Sequence, residues 1–315
     1  MTTVTVRAVV FDTETVGQAE ASSGPQGLDA WLGGGARGDT AVRLEVLRPR
    51  RLGFLVQRLP GETVEPVWWP RVRVASATGR LLCRYHEGPR GEPWRHRYCT
   101  RTATTRDGYC IVHRRSAKAL YERCAQGVDE ACAAADRLMR GEEFTVYALD
   151  YGGPRVKIGL TQGWRLIWRI AEQPHVTAAA VATFDSLIKA RGLEKRLGRA
   201  ATATEGAAAR LEQRLRAAAR MLEQFSPQRA AYRLAALLAS LGLQGEYRAY
   251  TVLPASGAPS WAYRLPRATE PPTGEWRLLD YWGGLLLLEA GDGRRLVLPK
   301  RSLVHLELRA DIEPS

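Results

Sequence analysis

The sequence predicts an α+β protein, and three observations carry that reading. Period-two and β-branched runs open the chain and return near its end, a Cys- and His-rich stretch follows the first of them, and residues 186–241 are spaced for helices. The expected division is a β-rich N-terminal region at 1–80, a basic Cys/His segment with helices at 81–140, an α/β domain with a helical extension at 141–245, and a small C-terminal β domain at 246–315. With 315 residues, 45% hydrophobic and 25% charged, the composition is that of a globular protein with material for two or three cores.

Thr3–Phe11 and Val42–Leu47 read as strands, and Arg71–Ala75 alternates charge with valine. The Gly/Ser/Ala-rich stretch Gly17–Gly38 reads as a long flexible loop. Asp12-Thr13-Glu14-Thr15 is similar to the first acidic motif of two-metal exonucleases, but no matching second motif follows, so coincidence is expected. Ser116 can cap a helix running to about Gln126, Gly127 ends it, and a second helix starts near Asp129. Cys124 and Cys132 are expected to face each other across that corner as two buried thiols, with a disulfide the alternative if the source is a hyperthermophile.

Phe144–Leu149 and Arg155–Leu160 read as hairpin strands around Tyr151-Gly152-Gly153-Pro154, followed by a helix at Leu166–Gln173 and a strand at Val176–Thr183. Arg210–Phe225 sets Leu211, Leu215, Ala218, Leu222 and Phe225 on one helical face. Ser226-Pro227 opens the last long helix and Gly242 closes it. Tyr247–Leu253, Leu285–Glu289 and Arg295–Leu298 return to strand, the last two joined by Gly291-Asp292-Gly293.

Lys plus Arg is 46 against 33 acids, a formal charge of +13, and only five of the cations are lysines. A guanidinium grips phosphate as a planar fork and stacks on bases, so this balance points to nucleic acid, DNA or RNA. No apolar run approaches the ~18–20 residues of a membrane span, and the N-terminus lacks a basic stretch followed by an apolar one. A soluble cytoplasmic protein without membrane contact is the expectation.

Cys83, Cys99 and Cys110 lie beside His86, His96 and His113. Cys110-Ile111-Val112-His113, preceded by the turn-forming Asp107-Gly108, lets two side chains converge on one ion. Cys83, Cys99, Cys110 and His113 make the most economical tetrahedral set for a structural zinc, with His86 or His96 able to replace one member. Residues 80–118 carry ten cations against three acids, with Tyr85, Trp94, Tyr98 and Tyr109 among them. Arg95, Arg97, Arg101, Arg114 and Arg115 here, and Arg210, Arg214 and Arg220 on the later helix, are the candidate phosphate contacts.

Thr145-Val146-Tyr147 and Lys157-Ile158-Gly159 lie on the two hairpin strands, Thr161 follows, Arg169 sits in the next helix, and Glu194 falls in Leu193-Glu194-Lys195-Arg196-Leu197. Over about residues 144–200 this resembles the GIY-YIG nuclease domain. The resemblance implies a catalytic group of Tyr147, Lys157, Arg169 and Glu194, with Mg²⁺ or Mn²⁺ on Glu194. Lys157 stands where that family has a tyrosine, and either Arg165 or Arg169 could match its arginine. The order of modules, a Cys/His segment followed by Val146-Tyr147, Lys157-Ile158-Gly159-Leu160-Thr161, Arg169 and Glu172-Gln173, resembles the domain of unknown function 2797 family.

Three functions are therefore expected in turn. The first is a zinc-stabilised nucleic-acid-binding protein that uses the GIY-YIG-like domain as a scaffold. The second is a Mg²⁺- or Mn²⁺-dependent endonuclease or repair nuclease. The third is a ribonucleoprotein-associated interaction protein whose basic surface reflects codon composition.

Overall fold

A computed structural model describes residues 1–23, 40–201 and 207–315, excepting the side chains of 201 and 207–210. In chain order the strands are β1 (Thr2–Ser22), β2 (Thr40–Arg58), β3 (Glu65–Trp68), β4 (Pro70–Leu81), β5 (His86–Glu87), β6 (Arg97–Tyr98), β7 (Phe144–Asp150), β8 (Val156–Gln162), β9 (Thr177–Phe184), β10 (Gly245–Val252), β11 (Gly274–Trp282), β12 (Leu285–Ala290), β13 (Arg295–Pro299) and β14 (Leu306–Pro314). The helices are α1 (Ala117–Ala125), α2 (Asp129–Leu138), α3 (Leu166–Ala171), α4 (Leu187–Ala201), α5 (Ala207–Glu223), α6 (Pro227–Ser240) and the short α7 (Trp261–Arg264). They divide into two compact units. One holds Met1–Thr13, Pro49–Gly141 and Arg264–Ser315, the other Glu14–Arg48 and Glu142–Tyr263, so β1 and β2 each contribute to both.

The first unit is built on strands in the order β13, β12, β11, β4, β14, β1, all antiparallel, with β3 paired to β2. Its residues come from both ends of the chain: Thr2 faces Ala310 and Trp276 faces Val72. Period-two patterning explains the core, because Val72 and Val74 are buried while Arg71 and Arg73 point outward toward Glu275. Phe54 and Trp276 meet edge to face at 6.3 Å inside this core. The acidic Asp12 is taken up structurally, accepting hydrogen bonds from Arg50 and Arg51 at 2.8 and 3.1 Å.

The second unit runs β2, β10, β9, β7, β8, with β10 parallel to β2 and the remaining pairs antiparallel. α4 packs on β7, β8 and β9, α3 on β8 and β10, and α6 on β9. Every residue of β7 is buried, since the strand is central and covered. Ser226 caps α6 as its sequence predicts, and Ser116 caps α1.

Three expectations are corrected. The stretch from Gly17 does not begin a loop: β1 continues through Ser22, with Gly17 beside Val46, and the rest of that stretch, 24–38, lies outside the described residues. Cys124 and Cys132 form a disulfide, the α1–α2 corner bringing their Cα atoms to 4.7 Å. Leu211 is 53% exposed, so the apolar stripe of α5 is carried by Leu215, Ala218 and Leu222.

Candidate functional site

The chain folds two polar constellations, one in each unit. In the first unit, Cys83 follows the end of β4, Cys99 follows β6, and Cys110 and His113 occupy a tight turn before α1. Their ligating atoms all lie within 4.8 Å of one another, close enough to hold a metal ion. His113 Nδ1 is 3.7 Å from Cys83 Sγ and 3.4 Å from Cys110 Sγ. A tetrahedral zinc with Zn–S of about 2.3 Å and Zn–N of about 2.0 Å sets ligand separations of roughly 3.5–3.8 Å, so these distances suit such an ion. Cys83 and Cys110 are buried, and Cys99 and His113 half-buried. The Tyr85 ring stacks on His113 at 3.9 Å, fixing the plane in which Nδ1 points. His86 and His96 stand apart: they stack on each other at 4.5 Å, and His96 Nε2 reaches Pro89 O.

Burial pushes the Cys83 and Cys99 thiols upward. At Cys110 burial acts in the same direction but is outweighed by the backbone N–H groups of His113 and Val112, which lower it. Raised thiols in a buried cluster become thiolates only where a cation offsets their charge, which matches a donor set of three sulfurs and one imidazole built for a metal ion.

Arg7 on β1 braces the site and was not legible as a site residue. It is 2% exposed. Its guanidinium donates to Cys83 O at 3.0 Å, to Cys99 O at 2.6 Å and to Gln57 Oε1 at 2.5 Å. Gln57 Nε2 donates onward to Gly61 O. Burial first, and then the charge of Arg7, hold His305 well below its ordinary range, leaving the neutral ring's Nδ1 to accept from Arg7 at 3.2 Å. Arg7 also lies 5.3 Å from the centre of the Tyr98 ring. A single arginine thus ties the carbonyls of two candidate ligands to β1 and β2. The available signal was a charge inside the apolar run Val4–Phe11.

In the second unit, Tyr147 on β7 lies opposite Gly159 on β8, and Lys157 faces Leu149 two positions along. The Tyr147 ring covers Gly159 so closely that any Cβ there would overlap it. Gln173, just after α3, joins the pair: Nε2 donates to Tyr147 Oη at 2.8 Å and Oε1 accepts from Lys157 Nζ. Gln173 Nε2 also donates to Arg169 O at 2.9 Å. Of the two candidate arginines, Arg169 is the one that faces Tyr147; both pair with Glu172, Arg169 at 3.0 Å and Arg165 at 3.5 Å. Burial first, then Arg169 and Arg214, lower Lys157 to about 8, against an opposing pull from Glu194. Glu194 itself is ion-paired with Arg191 on its own helix. Among the described residues, the Cys/His set is the group of three or more such side chains gathered closely enough for an ion, and Glu194 is not part of it.

The predicted phosphate-binding arginines separate into classes. Arg95 pairs with Glu92 at 3.0 Å and Arg97 with Glu62 at 2.6 Å, so both are already neutralised. Arg101, Arg114 and Arg115 are exposed and make no salt bridge among the described residues. Arg214 lies 4.6 Å from the centre of the Tyr151 ring, and Arg220 is exposed. The side chain of Arg210 lies outside the described residues. No helix is long and apolar enough to cross a membrane. Comparison with family models, curated proteins and solved structures finds no match to this chain.

Proposed function

We propose that this chain is a zinc-stabilised nucleic-acid-binding protein. Its Cys83, Cys99, Cys110 and His113 hold a structural zinc, and its domain of GIY-YIG and domain of unknown function 2797 resemblance grips phosphate. The carrying observation is Lys157, half-buried and under the fields of both Arg169 and Arg214 while hydrogen-bonded to a neutral amide. Both guanidinium groups disfavour the charged amine more than Glu194 favours it, an imbalance that an anionic ligand offsets. Phosphate supplies that anion, and the arginine-rich composition suits a polyanion over a small acid.

The test is binding of DNA and RNA oligonucleotides at several salt concentrations. Each phosphate contact removed by Lys157→Met or Arg214→Gln should flatten the log–log salt dependence by roughly one unit. Unchanged slopes would shift the reading to a protein partner.

Metal-dependent cleavage is the second reading, and the lowered Lys157 favours it. An amine titrating at about 8 is able to take a proton near neutral pH, which an ordinary lysine is not. Single-turnover assays with Mg²⁺ or Mn²⁺ on structured DNA and RNA decide it. Cleavage that Glu194→Ala abolishes supports the reading, and cleavage that survives the substitution belongs to another site.

A further inference from the structure

The turn that carries Cys110 and His113 also exposes an apolar pair. Cys110 and His113 face each other at 3.4 Å, and the turn is closed by hydrogen bonds from His113 N and Arg114 N to Cys110 O at 3.1 and 3.0 Å. With both ends directed inward, the two intervening side chains face solvent: Ile111 is 58% and Val112 55% exposed. Two adjacent β-branched residues are thus held out in water, where covering their apolar surface is favourable. Their surroundings identify what would cover them. Arg114 and Arg115 follow directly, and Arg101 lies two residues after Cys99, its carbonyl accepting from the backbone N–H of Cys83 at 2.8 Å. All three arginines are exposed and outside the ion pairs that neutralise Arg95 and Arg97.

We propose that Ile111 and Val112 form an apolar wedge that enters the base stack where paired and unpaired nucleic acid meet, with Arg101, Arg114 and Arg115 on the flanking phosphates. This rests on the nucleic-acid reading above and adds to it a structural class of ligand. An apolar side chain inserted at a base step costs partial unstacking, and that cost is least at a junction, where one side is already unstacked. The arginines supply sequence-independent attraction to the backbone. The two hydrogen bonds to Cys110 O already fix the turn, so little ordering cost remains at binding.

The experiment uses the full chain and three fluorescent probes: a DNA hairpin with a single-stranded tail, its RNA counterpart, and a fully paired duplex of equal charge, the first two carrying 2-aminopurine at the junction. Wild type should bind a junction probe about tenfold more tightly than the duplex, the scale of one base contact, and brighten the 2-aminopurine. The Ile111→Ser/Val112→Ser double variant should lose that preference and the brightening. It should keep duplex affinity, salt slope and metal content, the last showing that the turn is intact. Arg114→Gln/Arg115→Gln should weaken all three probes alike. An unaltered junction preference in the apolar double variant overturns the wedge while leaving the nucleic-acid reading standing. Failure of wild type to bind any probe at low salt overturns both. Poly-glutamate bound as tightly as the nucleic acids, and weakened by the apolar double variant, would assign the tip to an acidic protein instead.

Discussion

His175 accepts a 3.0 Å hydrogen bond at Nε2 from the backbone N–H of Val252. Its other nitrogen, Nδ1, donates to Gln173 O at 2.8 Å, so the fully buried ring is the neutral tautomer that joins β10 to the residue holding Tyr147 and Lys157. Burial pushes His175 down from 6.5 to about 4. Between those values the unfolded chain takes up a proton that the folded chain refuses. Stability should be level above pH 7 and fall as pH drops through that window, by about 3 kcal/mol from this group when the fall is complete. Denaturant titrations of wild type and His175→Leu at a series of pH values check this. The variant should be less stable at pH 7 by about 2–4 kcal/mol, because two buried backbone groups lose their partner, and its pH dependence should be flatter over that window. Parallel curves for the two proteins would refute the assignment.

The metal centre gives the second expectation. Protein purified without added metal should contain close to one equivalent of zinc, and Cys110→Ala should lose it. The Cys110 substitution is the informative one because its sulfur lies within 3.4 Å of His113 Nδ1, and its backbone N–H contacts Cys83 Sγ at 3.3 Å. Chelation should lower the stability of the first unit substantially, since a structural site contributes roughly 10–16 kcal/mol of apparent binding energy. A fully folded wild type free of metal would sink the idea.

Arg7 should behave as a positioning residue for that centre. Arg7→Met leaves the Cys83 and Cys99 carbonyls and the Gln57 amide without their donor, a loss on the order of 1–3 kcal/mol for each acceptor left buried and unpaired. Arg7→Lys should recover little, because an ammonium cannot span the three acceptors that the planar fork reaches. Competition with a chromogenic chelator separates the two roles available to Arg7. A positioning role weakens zinc affinity in both variants. A purely packing role lowers stability in Arg7→Met, leaves zinc affinity untouched, and is largely rescued by Arg7→Lys.

The Cys/His set was legible because ligand chemistry is written locally. Cys110 and His113 need only one turn to meet, and few arrangements of four such residues satisfy a tetrahedral ion. Helix caps at Ser116 and Ser226 were legible for the same reason, each being a contact across three residues. What the sequence concealed is long-range. The antiparallel pairing of β14 with β1 and β4 joins residues about three hundred and about two hundred and forty positions apart, and no periodicity encodes which strands become neighbours. The same holds for Gln173, whose contacts with Tyr147 and Lys157 come from separate strands of the hairpin. The run of glycine, serine and alanine from Gly17 was misleading because composition reports turn preference, whereas β1 is extended by its neighbours.

Lys157 provides the last expectation, read through ligand binding. Its ammonium is disfavoured first by burial and then by Arg169 and Arg214, which together bring it down to about 8. The local positive field therefore loses one unit as pH rises through that value. Affinity for a short polyphosphate or oligonucleotide should therefore be level near pH 6–7 and decline on the alkaline side. Bound phosphate favours the charged amine and moves the midpoint upward, so the midpoint should rise with ligand concentration. Lys157→Met should start weaker and show no such decline, whereas Lys157→Arg should keep its affinity at alkaline pH because a guanidinium does not titrate there. Fluorescence anisotropy at constant ionic strength measures all three proteins. A decline of equal size in Lys157→Met would place the titrating group elsewhere. A pH-independent wild type would remove Lys157 from the binding surface.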